Sequence, residues 1–107
     1  MKIYNKLVRD KIPQIIQNEG KTVYSCTLDG ENLRKMLKVK LLEESRELSK
    51  VTTKEEMINE LADIFEVIET IYEVFNIAEI DVDLAKHKKM QEKGAFKSGT
   101  YLMSVEE

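Results

Sequence analysis

Residues 33–68 read LRKMLKVKLLEESRELSKVTTKEEMINELADIFEVI, and this stretch decides the fold. Two apolar patterns of helical period flank Val51-Thr52-Thr53. Thr53 followed by Glu56 is a capping-box spacing, so one helix ends before it and another starts at Lys54. The first helix runs from Gly30, behind Asp29 as its cap, to about Lys50; the second runs to about Phe75, with Asn76 as a stop. So short a connection predicts that the two long helices pack antiparallel.

At about 100° per residue, Leu33, Leu37, Leu41, Leu48 and Val51 all fall within about 60° of Glu44. Glu47 and Lys40 share that side. On the next helix Met57, Ile64, Val67, Ile71, Val74 and Phe75 cluster about Glu60, and Asp63 lies at the edge of the arc. Glu66, Glu69 and Glu73 fall on the far side, where solvated carboxylates belong. Two i, i+3 carboxylate pairs, Glu44/Glu47 and Glu60/Asp63, therefore point from apolar stripes that face each other.

A single such pair is usually no more than helix surface, and Lys38, Lys40 or Arg46 could form plain salt bridges with Glu44 or Glu47. Two pairs centred on the stripes of consecutive helices are a different matter. Ionised carboxylates in an apolar setting cost several kcal/mol each unless paired or metal-bound. Four together also repel and push their pKa values up. A divalent cation resolves both costs, and oxygen ligands without His or Cys favour Mg²⁺, with Mn²⁺ possible, over zinc. This reading requires the four carboxylates to converge. Oxygens splayed into water, or each locked to its own lysine or arginine, would remove its basis.

Outward from this centre, Asp10–Asn18 reads as a short helix with Pro13 in its first turn and Gly20 as its stop. Thr22–Leu28 reads as extended or irregular. Asp81 is a candidate cap for a fourth helix reaching Lys93, ended by Gly94, and Gly99 marks a turn in the tail Ala95–Glu107. The expected architecture is an all-α bundle of two long antiparallel central helices and shorter N- and C-terminal helices, in one domain spanning 1–107. Tyr24, Tyr72, Phe65 and Phe75 are assigned to its core, with Met36 and Met57 as core or interface filler. Cys26 reads as a small half-buried side chain and His87 as a surface residue.

The 107 residues are 42% hydrophobic and 35% charged, an ordinary globular composition. No apolar run approaches the roughly 20 residues a membrane span needs. Met1–Asn5 carries no apolar signal core, and Cys26, the single cysteine, has no internal disulfide partner. These features point to the reducing cytoplasm. The net charge of −3 divides unevenly: +3 over residues 1–28, −8 over 29–85 and +2 over 86–107. No broad basic stripe appears, which disfavours binding to a nucleic-acid polymer. So small a chain buries a modest core, and a homodimer or higher homo-oligomer is expected.

Leu42-Glu43-Glu44-Ser45-Arg46-Glu47 followed by Glu60-Leu61-Ala62-Asp63 is an EExxE…ExxD pattern. It resembles the MazG-like all-α nucleotide pyrophosphohydrolase superfamily, which includes phosphoribosyl-ATP pyrophosphohydrolase. Tyr4-Asn5-Lys6-Leu7-Val8-Arg9-Asp10-Lys11-Ile12-Pro13 is similar to the start of one branch, and Lys93-Gly94-Ala95-Phe96 to the basic-Gly-Gly-Phe element that closes it. The resemblance implies cleavage of a nucleotide between its α- and β-phosphates, with release of pyrophosphate and a monophosphate. It implies Glu44, Glu47, Glu60 and Asp63 as Mg²⁺ ligands, and a catalytic role for Glu43, Glu44 and Glu47, Glu43 orienting water. Asn5, Lys6, Arg9, Lys40 and Lys93 become the candidates for holding the nucleotide, with Lys11, Lys86 and Lys89 behind them. Asn5 could instead cap the first helix. Ala95 departs from the pattern's second glycine, so that loop would approach a phosphate less closely. The chain lacks the additional helices of larger dUTPase-like relatives, which favours a pocket shared between subunits. The competing readings are a non-catalytic helical interaction module and phosphoribosyl-ATP hydrolysis in histidine synthesis.

Overall fold

The computed structural model describes residues 1–106, and its regular structure is entirely helical: α1 (Ile12–Asn18), α2 (Gly30–Lys50), α3 (Lys54–Val74) and α4 (Glu79–Lys93). Among the described residues there is no strand, and Thr22–Leu28 is irregular. No helix is long and apolar enough to cross a membrane. The chain divides into two compact units, Met1–Asn76 and Ile77–Glu107.

In the first unit α2 and α3 pack against each other, joined by Val51–Thr53. The capping box at the junction is fully formed. The Thr53 hydroxyl accepts from the Glu56 N–H at 3.1 Å, and the Glu56 carboxylate accepts from the Thr53 N–H at 3.3 Å. α3 stops where Asn76 takes φ 55°, a left-handed conformation that asparagine tolerates. The buried centre is small. Among the described residues, Leu37 on α2 and Val67 on α3 are the buried apolar side chains, and Glu44 is buried with them at 8% exposure.

Several expectations need correction. α1 begins at Ile12 rather than Asp10, because Lys11 occupies the cap position and the chain before it is irregular. Asp29 precedes α2 as expected, but its side chain makes no capping hydrogen bond. In the second unit α4 starts behind Ala78, and Asp81 sits in the first turn with Glu79, where both carboxylates favour the positive end of the helix dipole. The backbone ends α4 at Gly94 with φ 83°, and a turn closes from the Gly99 N–H to the Phe96 carbonyl at 3.1 Å. The tail's last residue, Glu107, lies outside the described residues. Tyr24 and Phe65 are not core: they are 82% and 59% exposed. Cys26 is exposed rather than half-buried, whereas His87 lies at the surface as expected.

Candidate metal centre

Glu44, Glu60 and Asp63 each present a carboxylate oxygen, and these oxygens all lie within 4.8 Å of one another. Their convergence follows from the two stripes. Glu44 is held at the middle of α2's apolar face, and Glu60 and Asp63 lie one turn apart on the side of α3 that meets it. Glu60 Oε2 is buried and has no hydrogen-bond partner among the described residues. Burial raises the Glu60 pKa, and the adjoining Glu44 carboxyl and the charges of Asp63 and Glu47 raise it further.

Cations stand around this cluster. Arg9, in the segment before α1, reaches Asp63 Oδ1 at 2.7 Å and Glu66 at 3.5 Å. Its hydrogen bond to Asp63 raises the guanidinium pKa still higher. Lys40 lies between Glu43 at 3.3 Å and Glu44 at 3.4 Å, and Lys6 reaches Glu43 at 3.6 Å. The N-terminal segment is thus tied to α2 through Lys6 and to α3 through Arg9.

Of the four carboxylates expected to meet, three do. Glu47 stands outside the triad; its side chain is half exposed and pairs with Lys50 at 3.6 Å. It lies one turn beyond Glu44 toward the helix end, beside the last lysine of α2. Its charge is still felt at Glu60. Glu43 lies in the grip of Lys6 and Lys40, the latter shared with Glu44 of the triad. Asn5 is exposed, in a left-handed conformation at φ 46°, and does not cap α1, whose cap position is Lys11. Lys11 is exposed and forms no ion pair among the described residues. Lys93 occupies the last turn of α4 in the second unit; Lys86 and Lys89 line a groove of that unit with His87, Met90 and Phe96. Glu66 is the participant that sequence reasoning left among solvated carboxylates. Its i, i+3 spacing from Asp63 was the available signal, since one guanidinium can serve both.

The donor set fits a hard divalent cation. At the outer limit of that separation the centre of an oxygen triangle would be roughly 2.8 Å from each corner, against the roughly 2.1 Å of Mg²⁺–oxygen bonds. No family model matches the chain, and neither the curated proteins nor the solved structures hold a significant match.

Proposed function

We propose that this chain is a Mg²⁺-dependent nucleotide pyrophosphohydrolase of MazG-like architecture, with α2 and α3 as its antiparallel central pair. It would cleave a nucleoside triphosphate or related nucleotide between the α- and β-phosphates. The observation that carries the reading is Glu60: a buried carboxylate oxygen with no partner among the described residues, facing two further carboxylates. Such an arrangement is costly in an apolar setting, and a divalent cation is what the three oxygens together suit.

Glu44, Glu60 and Asp63 would hold the ion, which when bound supplies charge stabilisation at the phosphates and a water activated near neutral pH. Glu47 and Glu43, nearby but outside the triad, can take a proton from that water or orient it. Arg9 and Lys40 rest on Asp63 and Glu44. Once a cation neutralises those carboxylates, the two side chains are free to turn to phosphate oxygens, with Lys6 beside them. Asn5 joins the proposed nucleotide contacts, in a homo-oligomer whose pocket is shared between subunits.

The same ion pairs support a second reading. Arg9 on Asp63 and Lys40 on Glu44 already compensate two of the three carboxylates, as a non-catalytic helical module would need. One experiment separates the two. Pyrophosphate release is measured across nucleoside triphosphates and phosphoribosyl-ATP, with and without Mg²⁺, for the native chain and for Glu44→Gln and Asp63→Asn. The enzyme reading expects Mg²⁺-dependent release, lost in both variants while helical circular dichroism is retained. Unchanged release in the variants removes the assigned roles, and no release from any nucleotide favours the module.

A further inference from the structure

Arg9 stands on two carboxylates at once. Its Nη2 lies 2.7 Å from Asp63 Oδ1 and its Nη1 lies 3.5 Å from Glu66 Oε1, so the two arms of one guanidinium span neighbouring turns of α3. The Arg9 backbone is fixed as well: its carbonyl accepts from the Ile12 N–H at 3.0 Å, at the start of α1. At about 100° per residue Glu66 lies about 60° round α3 from Asp63 and about 120° from Glu60. Asp63 belongs to the triad and Glu66 does not. The guanidinium therefore bridges a carboxylate inside the candidate centre and one just outside it.

The two ends of this bridge respond differently to a divalent cation. An Asp63 carboxylate whose charge is shared with a metal attracts a guanidinium less, and a second positive charge beside it repels one. Glu66, exposed and outside the triad, keeps its full charge. It pairs with no cation but Arg9 among the described residues, whereas Glu43 on α2 is shared by Lys6 and Lys40. A planar fork of five N–H donors can leave one carboxylate and remain on the other, since only side-chain torsions need change.

We propose that Glu66 is a positioning residue, which anchors Arg9 at the edge of the triad when a metal takes Asp63. Arg9 opposes a metal at Asp63, and Glu66 weakens that opposition by offering the guanidinium a second partner. The arrangement keeps a cation beside the centre, ready for an anionic substrate, without tying up a metal ligand. It rests on the metal reading of Glu44, Glu60 and Asp63 and adds a residue outside that set.

Calorimetric titration with Mg²⁺ alone tests it. Arg9→Gln is expected to tighten Mg²⁺ binding by about threefold to fivefold, and Glu66→Gln to weaken it by about twofold or more, in keeping with the modest strength of exposed pairs. The decisive comparison is the double variant. With no guanidinium to hold, Glu66→Gln should change nothing in the Arg9→Gln chain, so the two effects do not add. Arg9→Lys keeps the charge but loses the fork, and the Glu66→Gln effect should be lost there too. Glu69, one turn farther along α3, is exposed and forms no ion pair among the described residues, so Glu69→Gln serves as the control for charge alone. All three positions are exposed, and helical circular dichroism checks that each variant folds. Additive effects of Arg9→Gln and Glu66→Gln would reduce Glu66 to a distant charge and overturn the proposal. So would a Glu69→Gln loss equal to that of Glu66→Gln. Weaker Mg²⁺ binding in Arg9→Gln would also overturn it, by making Arg9 a support of the Asp63 ligand. A native chain that takes up no Mg²⁺ at millimolar concentration defeats the metal reading itself and this anchor with it, whereas native uptake with additive variants defeats the anchor alone.

Discussion

Glu60 carries most of the argument at the residue scale. Its carboxyl pKa is raised, first by burial and then by its acidic neighbours. The folded chain therefore binds a proton at Glu60 over a range where the unfolded chain has released it. Stability tied to this group is full below the ordinary glutamate range and is lost as pH rises through the raised value. In metal-free buffer the melting temperature should fall across that interval, and Glu60→Gln should remove this part of the fall. A native-like pH profile in Glu60→Gln would show that another group titrates. Arg9 illustrates a different balance. Its pairs with Asp63 and Glu66 are largely exposed, so they contribute at most about 1 kcal/mol. Their importance is positional: they hold a cation at the edge of the carboxylate triad.

At the scale of elements, α3 depends on how it starts. The capping box fixes Thr53 and Glu56 reciprocally and places Lys54 at the first helical position. That start sets the rotation of the helix, and with it whether Glu60 and Asp63 face α2. Thr53→Ala should cost about 1 kcal/mol, measured by urea denaturation, because an orphan N–H at the first turn loses its acceptor. A loss near zero would mean that water replaces the hydroxyl at no cost. The end of α2 has no comparable device, and Val51 simply turns extended. The N-terminal segment has no regular structure ahead of α1 and meets α2 and α3 through its ion pairs.

For the whole molecule, the sparse buried core makes bound ligands and partners count heavily. Anything that binds only the folded state adds RT ln(1 + [L]/Kd), or about 2.7 kcal/mol at a hundredfold excess over Kd. Mg²⁺ should therefore raise the melting temperature by several degrees or more. Glu60→Gln should abolish the rise while an equal ionic strength of Na⁺ gives none. A flat response to millimolar Mg²⁺ in the native chain would argue against the centre. The uneven charge also belongs at this scale. The acidic middle holds the triad, and the basic N-terminal stretch supplies the Arg9 and Lys6 that reach toward it.

The sequence by itself determined the four helices, apart from where α1 and α4 begin, and the inward setting of Glu44 and Glu60. Helical period, the Thr53–Glu56 box and the positions of Gly94 and Asn76 are local signals, and local hydrogen bonding and backbone sterics decide where a helix begins and stops. Glu44 at the centre of a stripe was legible for the same reason, since rotation about one axis places it there. Only the tertiary structure decided which oxygens meet. Glu47 lies as near the stripe as Asp63 does, yet Glu47 turns to Lys50 while Asp63 joins Glu44 and Glu60. The packing of α2 against α3 separates them, since both carboxylates have a cation within reach, and a spacing of three residues does not encode that packing. The exposure of Phe65 belongs to the same class: it lies about 140° round α3 from Glu60, and the packing of α2 leaves it at the surface.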